Sequence, residues 1–430
     1  MFEKRSLGSL VERQQGGGTP ERNNPRFWNG PIPWASVKDF ADNQLVLNST
    51  EESITQQGLA ASSTNLIPAG TPLVCTRMAV GRCAISNSDV TINQDVKALF
   101  PKANVSPRYL LRLLDSLKFH AESVSVGSTV KGIRISDLLG IRTPIAPLHE
   151  QAKIAQILDT LDTQIQKTEA LIAKLEKVKE GLLHDLLTRG IDQYGQLRPT
   201  PEQAPELYKE SALGSIPKEW EVMSLRQVTD SMVDGPFGSN LKTSHYVEEA
   251  GVQVVRLQNI KTGEYDETFT AFITRAHANR LDRNRVVGGD LLVASLGDER
   301  SKPGRACLYP THLPPAINKA DCFRVRAHPS TATSSFLMHS LNFERSMKQA
   351  TSKQQGVTLQ RVNLSNLRTI LIGLPTIAEQ RLISEQLNSI AREISGLECD
   401  RQKLESTKNG LMDDLLTGRV RVTPLLKDAV

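Results

Sequence analysis

Glu150-Gln151-Ala152-Lys153-Ile154-Ala155-Gln156-Ile157-Leu158 and Glu379-Gln380-Arg381-Leu382-Ile383-Ser384-Glu385-Gln386-Leu387 open the two stretches that decide how the chain is read. The first covers about residues 150–188 and the second about 379–417, and a shift of 229 residues aligns them without a gap. In the first, Ile154, Leu158, Leu161, Ile165, Thr168, Ile172, Leu175, Lys179, Leu182 and Leu186 step by four and three. In the second, Ile383, Leu387, Ile390, Ile394, Leu397, Arg401, Leu404, Lys408, Leu411 and Leu415 do the same. Two such positions in seven make the seam of helices that wrap on one another. The copies close alike, with Asp185-Leu186-Leu187-Thr188 and Asp414-Leu415-Leu416-Thr417. Each then meets a glycine, Gly190 or Gly418, as a helix stop does.

Working outward, the rest of the chain repeats as well. Ile32-Pro33-Trp34 aligns with Val252-Gln253-Val254, Gly81-Arg82 with Gly304-Arg305, and Ser136 and Leu138 with Ser365 and Leu367, at offsets drifting from 220 to 229. The unit is therefore a mixed domain followed by a long helix, used twice. The expected organisation is domain 1–143, helix 144–190, linker 191–212, domain 213–372, helix 373–418 and tail 419–430. Residues 191–212 carry the proline and polar signature of a linker. Within the first domain, 32–37, 73–77 and 90–92 read as strands and 107–114 as a helix with proline near its start. The fold class is α+β: two mixed domains and two long helices that pair as an antiparallel coiled coil, the roughly 190 intervening residues allowing the second helix to return. Each helix, at roughly 38 residues, spans roughly 57 Å. A chain built this way is a ruler with a reader at each end, suited to half-sites at fixed spacing.

Bulk composition excludes little. A net charge of +5, from 52 basic and 47 acidic residues, permits a polyanionic partner without demanding one. The five cysteines (Cys75, Cys83, Cys307, Cys322, Cys399) are scattered and odd in number. They fit neither a zinc ribbon nor a disulfide framework, and they suit a reducing cytoplasm. No run approaches the roughly 18 apolar residues of a membrane span.

Catalytic signatures are missing: no phosphate-binding G-x-x-x-x-G-K-[ST], no G-x-G-x-x-G after a strand, no H-E-x-x-H, no G-x-S-x-G and no metal-spaced His/Cys cluster. The polar loops are more informative. Side chains suited to phosphates and base edges are Thr19, Lys38, Arg77, Ser128, Thr129 and Lys131 in the first half. In the second half they are Ser239, Lys242, Arg256, Gln258, Lys353, Gln354 and Gln355. Each is individually compatible with an ordinary surface loop. Phe237 reads as a loop-packing ring. Lys179 and Lys408 recur at matching seam positions, where their stems snorkel at a helix crossing or, alternatively, fix register.

The helix openings, Ile145-Ala146-Pro147-Leu148-His149-Glu150-Gln151 and Leu374-Pro375-Thr376-Ile377-Ala378-Glu379-Gln380, resemble those of the specificity (S) subunits of type I restriction-modification enzymes. Leu213-Gly214-Ser215-Ile216-Pro217-Lys218-Glu219-Trp220 is similar to the start of a recognition domain in that family. Gly235-Pro236-Phe237-Gly238-Ser239, and Gly17-Gly18-Thr19-Pro20 with Ile32-Pro33-Trp34, resemble its target-recognition openings. Two departures stand out. Pro147 replaces Thr376, so only the second helix has a Thr-x-x-Glu capping box, and no Ile-Pro-x-x-Trp precedes Ser6-Leu7. The resemblance implies a non-catalytic subunit reading a split, asymmetric site on double-stranded DNA, one target-recognition domain per half-site. It implies no cofactor on this chain. S-adenosylmethionine would sit on two adenine-N6-methylating modification subunits docked partly on the helices, and ATP and Mg on restriction (motor-nuclease) subunits. The competing expectation is a coiled-coil scaffold without direct DNA readout.

Overall fold

The computed structural model describes residues 1–42, 44–126, 131–248, 251–297, 301–352 and 360–427. The chain divides into two compact units, residues 1–170 with 398–430, and residues 171–397.

In the first unit a five-stranded sheet runs Val11–Gly16, Val96–Pro101, Pro72–Cys75, Cys83–Ser86, Val46–Leu47. Its central strands are buried on both faces, and side-chain alternation explains why. Val74, Cys83, Ile85 and Leu99 point to the helix Pro107–Ser116 and to the first turns of the long helix. Leu73, Cys75, Ala84 and Ala98 point to a second sheet, ordered Glu52–Ile54, Trp28–Ala35, Val90–Ile92, Leu66–Ile67. Ser106 caps the helix Pro107–Ser116 by accepting from the Tyr109 N–H, with Pro107 at its first turn.

The second unit repeats this frame. Its four-stranded sheet runs Thr229–Val233, Cys322–Ala327, Leu291–Ala294, Ala306–Leu308. Leu291, Val293, Phe323 and Val325 face the helix Ser334–Asn342, while Leu292, Ala294, Cys307 and Cys322 face the companion sheet. In both units the companion sheets hold one parallel pair, Trp34 beside Thr91 and Val254 beside Ile317. Four of the five cysteines are thus apolar filling, all five are unpaired, and burial pushes the four buried thiols well up from their usual range.

The long helices are Leu148–Thr188 and Ile377–Thr417, each 41 residues and each starting two residues before the glutamate that opens the repeat. All twelve aliphatic seam residues proposed from sequence (Ile154, Leu158, Leu161, Ile165, Leu175, Leu182, Ile383, Leu387, Ile390, Ile394, Leu404, Leu411) are buried or half-buried. Inside the first unit, Ile154 and Leu158 share a core with Leu415 and Leu416. There the second helix descends as the first ascends: Glu150 meets Arg421 and Val422, and Asp162 meets Lys408. Inside the second unit, Leu186 and Leu187 share a core with Ile383 and Leu387.

Each helix head is held by the chain that follows the other helix. Arg421, Val422 N–H and Thr423 Oγ1 all donate to the fully buried Glu150. Burial opposes ionisation of that carboxyl, but the Arg421, Thr423 and Val422 hydrogen bonds outweigh it and hold its pKa below the carboxylate range. Ile191 N–H (3.0 Å), Arg198 Nη1 (2.5 Å) and Trp220 Nε1 (3.2 Å) donate to Glu379. The neighbouring amides match too: Gln151 donates to Ala146 O and Gln380 to Pro375 O. Residues 191–212 therefore fold into the second unit, with a bridge between Ile191 and Leu197 and a hairpin of Tyr208–Ser211 with Gly214–Pro217.

The capping box at Thr376 is half formed. Thr376 Oγ1 accepts from the Glu379 N–H at 3.3 Å, but the Glu379 carboxylate is taken by Arg198 and its neighbours. The sequence motif missing before Ser6 is replaced by one ring. Glu3–Ser6 pairs with Arg142–Ile145 as Glu221–Ser224 pairs with Leu371–Leu374, which puts Phe2 in the place of Trp220. Both helix-stop glycines need their left-handed backbone (φ 64° at Gly190, 74° at Gly418). A Cβ at Gly190 would meet Trp220 and Glu379, and one at Gly418 would meet the Phe2 ring.

Candidate nucleic-acid interface

In each unit the loops that carry the polar candidates leave the same end of the two sheets. Gly17 follows Val11–Gly16 and passes so close to Ile92 that no side chain fits there. Gly235, after Thr229–Val233, passes Lys319 in the same way. Thr19 follows and donates to Gln94 Oε1 at 2.7 Å. The parallel strands end beside these crossings, and each continues into a single 3₁₀ turn with one exposed polar tip. In the first unit Asp39 accepts from Ser36 N–H (2.7 Å) and Lys38 is the tip. In the second, Asn259 accepts from Arg256 N–H (2.9 Å) and Gln258 is the tip. Asp39 and Asn259 are thus structural, and the tip residue is what differs.

Arg77 lies at the end of Pro72–Cys75, bridged to Gly132, with Nη1 3.5 Å from Asp95. The Lys131 carbonyl accepts from Met78 N–H at 3.0 Å, bringing the exposed Lys131 beside Arg77. Thr19, Arg77 and Lys131 therefore gather at one end of the first unit, with Lys38 on the adjoining strand end. In the second unit Ser239 and Lys242 are exposed just after the Gly235 crossing. The half-buried Arg256 turns back to Thr270 O at 3.3 Å. Phe237 is half-exposed rather than packed away, with the Arg361 guanidinium 5.5 Å from its ring. Ser128, Thr129, Lys353, Gln354 and Gln355 lie outside the described residues.

Sequence reasoning missed a ridge of arginines. Thr274 caps the short helix Arg275–Arg280, and Arg275, Arg280 and Arg283 are exposed on and after it. Among the described residues none of the three has a carboxylate partner. The ridge is tied to the loop end, His277 Nε2 lying 2.8 Å from Asn240 O and Asn284 Nδ2 donating to Asp234 O at 2.7 Å. The matching helix of the first unit, Gln56–Ala60 capped by Thr55, carries no charge. The density of arginine between residues 275 and 285 is the signal that could have found it.

The seam lysines part company. Lys408 is buried and sits 2.7 Å from Asp162, so it fixes register, whereas Lys179 is half-buried and pairs with Glu176 of its own helix at 3.6 Å. Among the described residues no helix is long and apolar enough to cross a membrane. Nor do His, Cys, Asp and Glu there form a group that could hold a metal ion.

Comparison with known proteins agrees with this arrangement. Residues 1–177 match the family described as the type I restriction modification DNA specificity domain. The MjaIX specificity subunit of Methanocaldococcus jannaschii is 25% identical over 423 residues, 95% of this chain and 91% of that protein. The MjaVIII specificity subunit of the same organism is 26% identical over 317 residues, 74% of this chain and 70% of that protein. The crystal structure of a type I restriction-modification S subunit from M. genitalium covers 97% of this chain and 96% of its own, with a TM-score of 0.62 at 15% identity. Residues 1–177 thus match a type I restriction modification DNA specificity domain, and over nearly its whole length the chain is similar to type I restriction enzyme specificity subunits and shares the fold of a solved one.

Proposed function

We propose that this subunit reads a split, asymmetric site on double-stranded DNA, one half-site per unit, and carries no active site of its own. The observation that carries the reading is the repeated frame with unlike tips: Lys38 and Gln258 stand on equivalent capped turns, and the loops around Thr19 and Ser239 on equivalent glycine crossings. A shared backbone with different side chains suits two different half-sites, because base edges are told apart by donor and acceptor pattern. Thr19, Lys38, Lys131, Ser239, Lys242 and Gln258 are the reading side chains in this proposal, and Ser128, Thr129, Lys353, Gln354 and Gln355 are candidates on sequence grounds alone.

The long helices serve as docking rails for two modification subunits, which bind S-adenosylmethionine and methylate adenine, and their length sets the gap between half-sites. Restriction subunits supply ATP- and Mg-dependent cleavage, and the assembly works in the cytoplasm. The test is enrichment of a randomised duplex pool by the full chain co-expressed with its modification subunit. A split motif is expected. Exchanging residues 1–143 for those of another family member should change one half of it. Loss of DNA choice altogether, or no change on exchange, would favour a scaffold without direct readout.

A further inference from the structure

Thr76-Arg77 and Gly132-Ile133 in the first unit correspond to Ser295-Leu296 and Arg361-Val362 in the second. Three hydrogen bonds establish the correspondence. Ile133 N–H donates to Thr76 O and Val362 N–H to Ser295 O. Thr76 N–H donates to Asp95 O and Ser295 N–H to Asp321 O. Cys75 N–H donates to Arg82 O and Ala294 N–H to Arg305 O. Within that frame Arg77 faces Gly132, and Leu296 faces Arg361.

The arginine has changed strands, yet its target has not. Arg77 Nη1 lies 3.5 Å from Asp95 Oδ1, and Arg361 Nη2 lies 2.7 Å from Asp321 Oδ1. Asp95 and Asp321 are the equivalent residues that precede the central strands Val96–Pro101 and Cys322–Ala327. Asp321 also accepts from Ser295 Oγ at 3.0 Å and holds a left-handed backbone, φ 69°. A Cβ at Gly132 would press on the Arg77 stem at 3.3 Å, so Arg77 and a side chain at 132 compete for one space. An unsupported surface arginine has no reason to be replaced from the opposite strand. One that must reach a fixed aspartate has, because either strand of the ladder can supply it.

We propose that Arg77 and Arg361 are the same positioning residue, each pinning a reading loop to the aspartate at the end of the neighbouring strand rather than reading a base itself. This rests on the DNA-reading proposal above. In the first unit the pinned ladder is the one that Met78 and Lys131 extend, and in the second it is where Phe237 meets Arg361.

The test uses the full chain with its modification subunits on a randomised duplex pool, reading enrichment of each half-site separately. R77L and D95N should each lower discrimination at one half-site by roughly tenfold, the scale of a lost base contact, and leave the other half-site unchanged. Because both break one contact, R77L/D95N should be no worse than either alone. The transposed variant R77L/G132R, which copies the arrangement of the second unit, should recover most of the lost discrimination. Failure of R77L/G132R to recover it, in a variant melting within the wild-type range, means that Arg77 acts on DNA from its own position and overturns the proposal. So does an R77L variant with both half-sites intact. A wild-type pool without any split motif overturns the DNA reading itself, an outcome distinct from these.

Discussion

At the junction of helix and sheet domain, the first unit places Arg108, Arg112, Asp159, Asp162 and Lys408 where the second places Ser335, His339, Asn388, Ala391 and Lys179. In the first, Arg112 is 2% exposed, its Nε and Nη2 donate to Asp159 at 3.0 and 2.6 Å, and its Nη1 lies 2.5 Å from Asp162. Arg108 adds a contact to Asp159 at 3.0 Å and Lys408 one to Asp162 at 2.7 Å. In the second, His339 Nε2 lies 2.9 Å from Asn388 Oδ1, and Asn388 Nδ2 donates to Ser335 Oγ at 3.0 Å. The backbone frame is common, but one junction is an ion network and the other a neutral hydrogen-bond chain. Conserved geometry therefore does not require conserved electrostatics. In each junction the buried Arg112 or His339 meets a partner of matching kind, carboxylates in the first and an amide in the second.

The largest effect that would sharpen this contrast is removal of the buried guanidinium. Arg112→Ala leaves Asp159 and Asp162 facing each other with only Arg108 and Lys408, and should destabilise the first unit by about 3 kcal/mol. His339→Ala should cost about 1–2 kcal/mol, the value of a neutral buried hydrogen bond plus lost packing. Hydrogen exchange read separately on peptides from the two units measures both. Equal losses, or a loss from Arg112→Ala spread over both units, would break the contrast.

Next in size is Glu150. Its folded pKa is held below the carboxylate range, so it contributes stability that is present above the unfolded value of about 4.3 and is lost as pH falls through the lower folded value. Glu150→Gln keeps the shape but gives up the charge-assisted bonds to Arg421 and Thr423. It should cost the first unit about 2 kcal/mol at neutral pH and flatten its acid limb. A Gln variant as stable as wild type at pH 7 would show that the tail docks without the carboxylate.

His339 runs the other way. Burial, with the positive charge of Lys179 adding to it, lowers its pKa despite the Asn388 hydrogen bond. As pH falls through the ordinary histidine value of about 6.5, the unfolded chain takes the proton first, so the second unit loses stability there. The second unit should weaken as pH falls below about 6.5, while the first keeps its Glu150 anchor until pH falls below about 4.3. His339→Asn should remove that early loss. Exchange protection that falls in both units together over this range would contradict the assignment.

The sequence made the helices legible because their seam is a local, repeated pattern, and the stops at Gly190 and Gly418 followed from a backbone need. The strands around Leu73 and Val90 and the helix after Ser106 were legible from apolar runs and a proline near the helix start. What stayed hidden depends on contacts between distant residues. Thr376-x-x-Glu379 looks like a capping box, yet its carboxylate belongs to Arg198, 181 residues away. Phe2 matches Trp220 only through strand register. Arg77 and Arg361 cannot be matched by sliding the chain, since they sit on opposite strands of one ladder. Among the reading candidates in the described residues, Lys38, Arg77, Lys131, Ser239, Lys242 and Gln258 are exposed, but the sequence could not tell a tip such as Lys38 from a residue turned inward such as Arg256.

The smallest effect concerns the arginine ridge. Arg275, Arg280 and Arg283 are exposed, and their neutral counterparts in the first unit lie on and after Gln56–Ala60. If the ridge grips phosphates, each Arg→Gln change should weaken binding by less than about tenfold at moderate salt, uniformly across DNA sequences. Each should also lower the slope of log K against log salt by about 1. Installing arginine at Gln56 should add a comparable increment from the first unit, because the cap at Thr55 presents the same helix. Titration of the full complex at several salt concentrations on matched and mismatched duplexes separates the possibilities. A change in sequence preference rather than in slope would move these arginines from phosphate contacts to base readers, and an unchanged slope would leave the ridge outside the DNA path. The expected drop in slope would sharpen the difference between the units: on the DNA-reading proposal the first would hold DNA through tips alone and the second through tips and a charged flank.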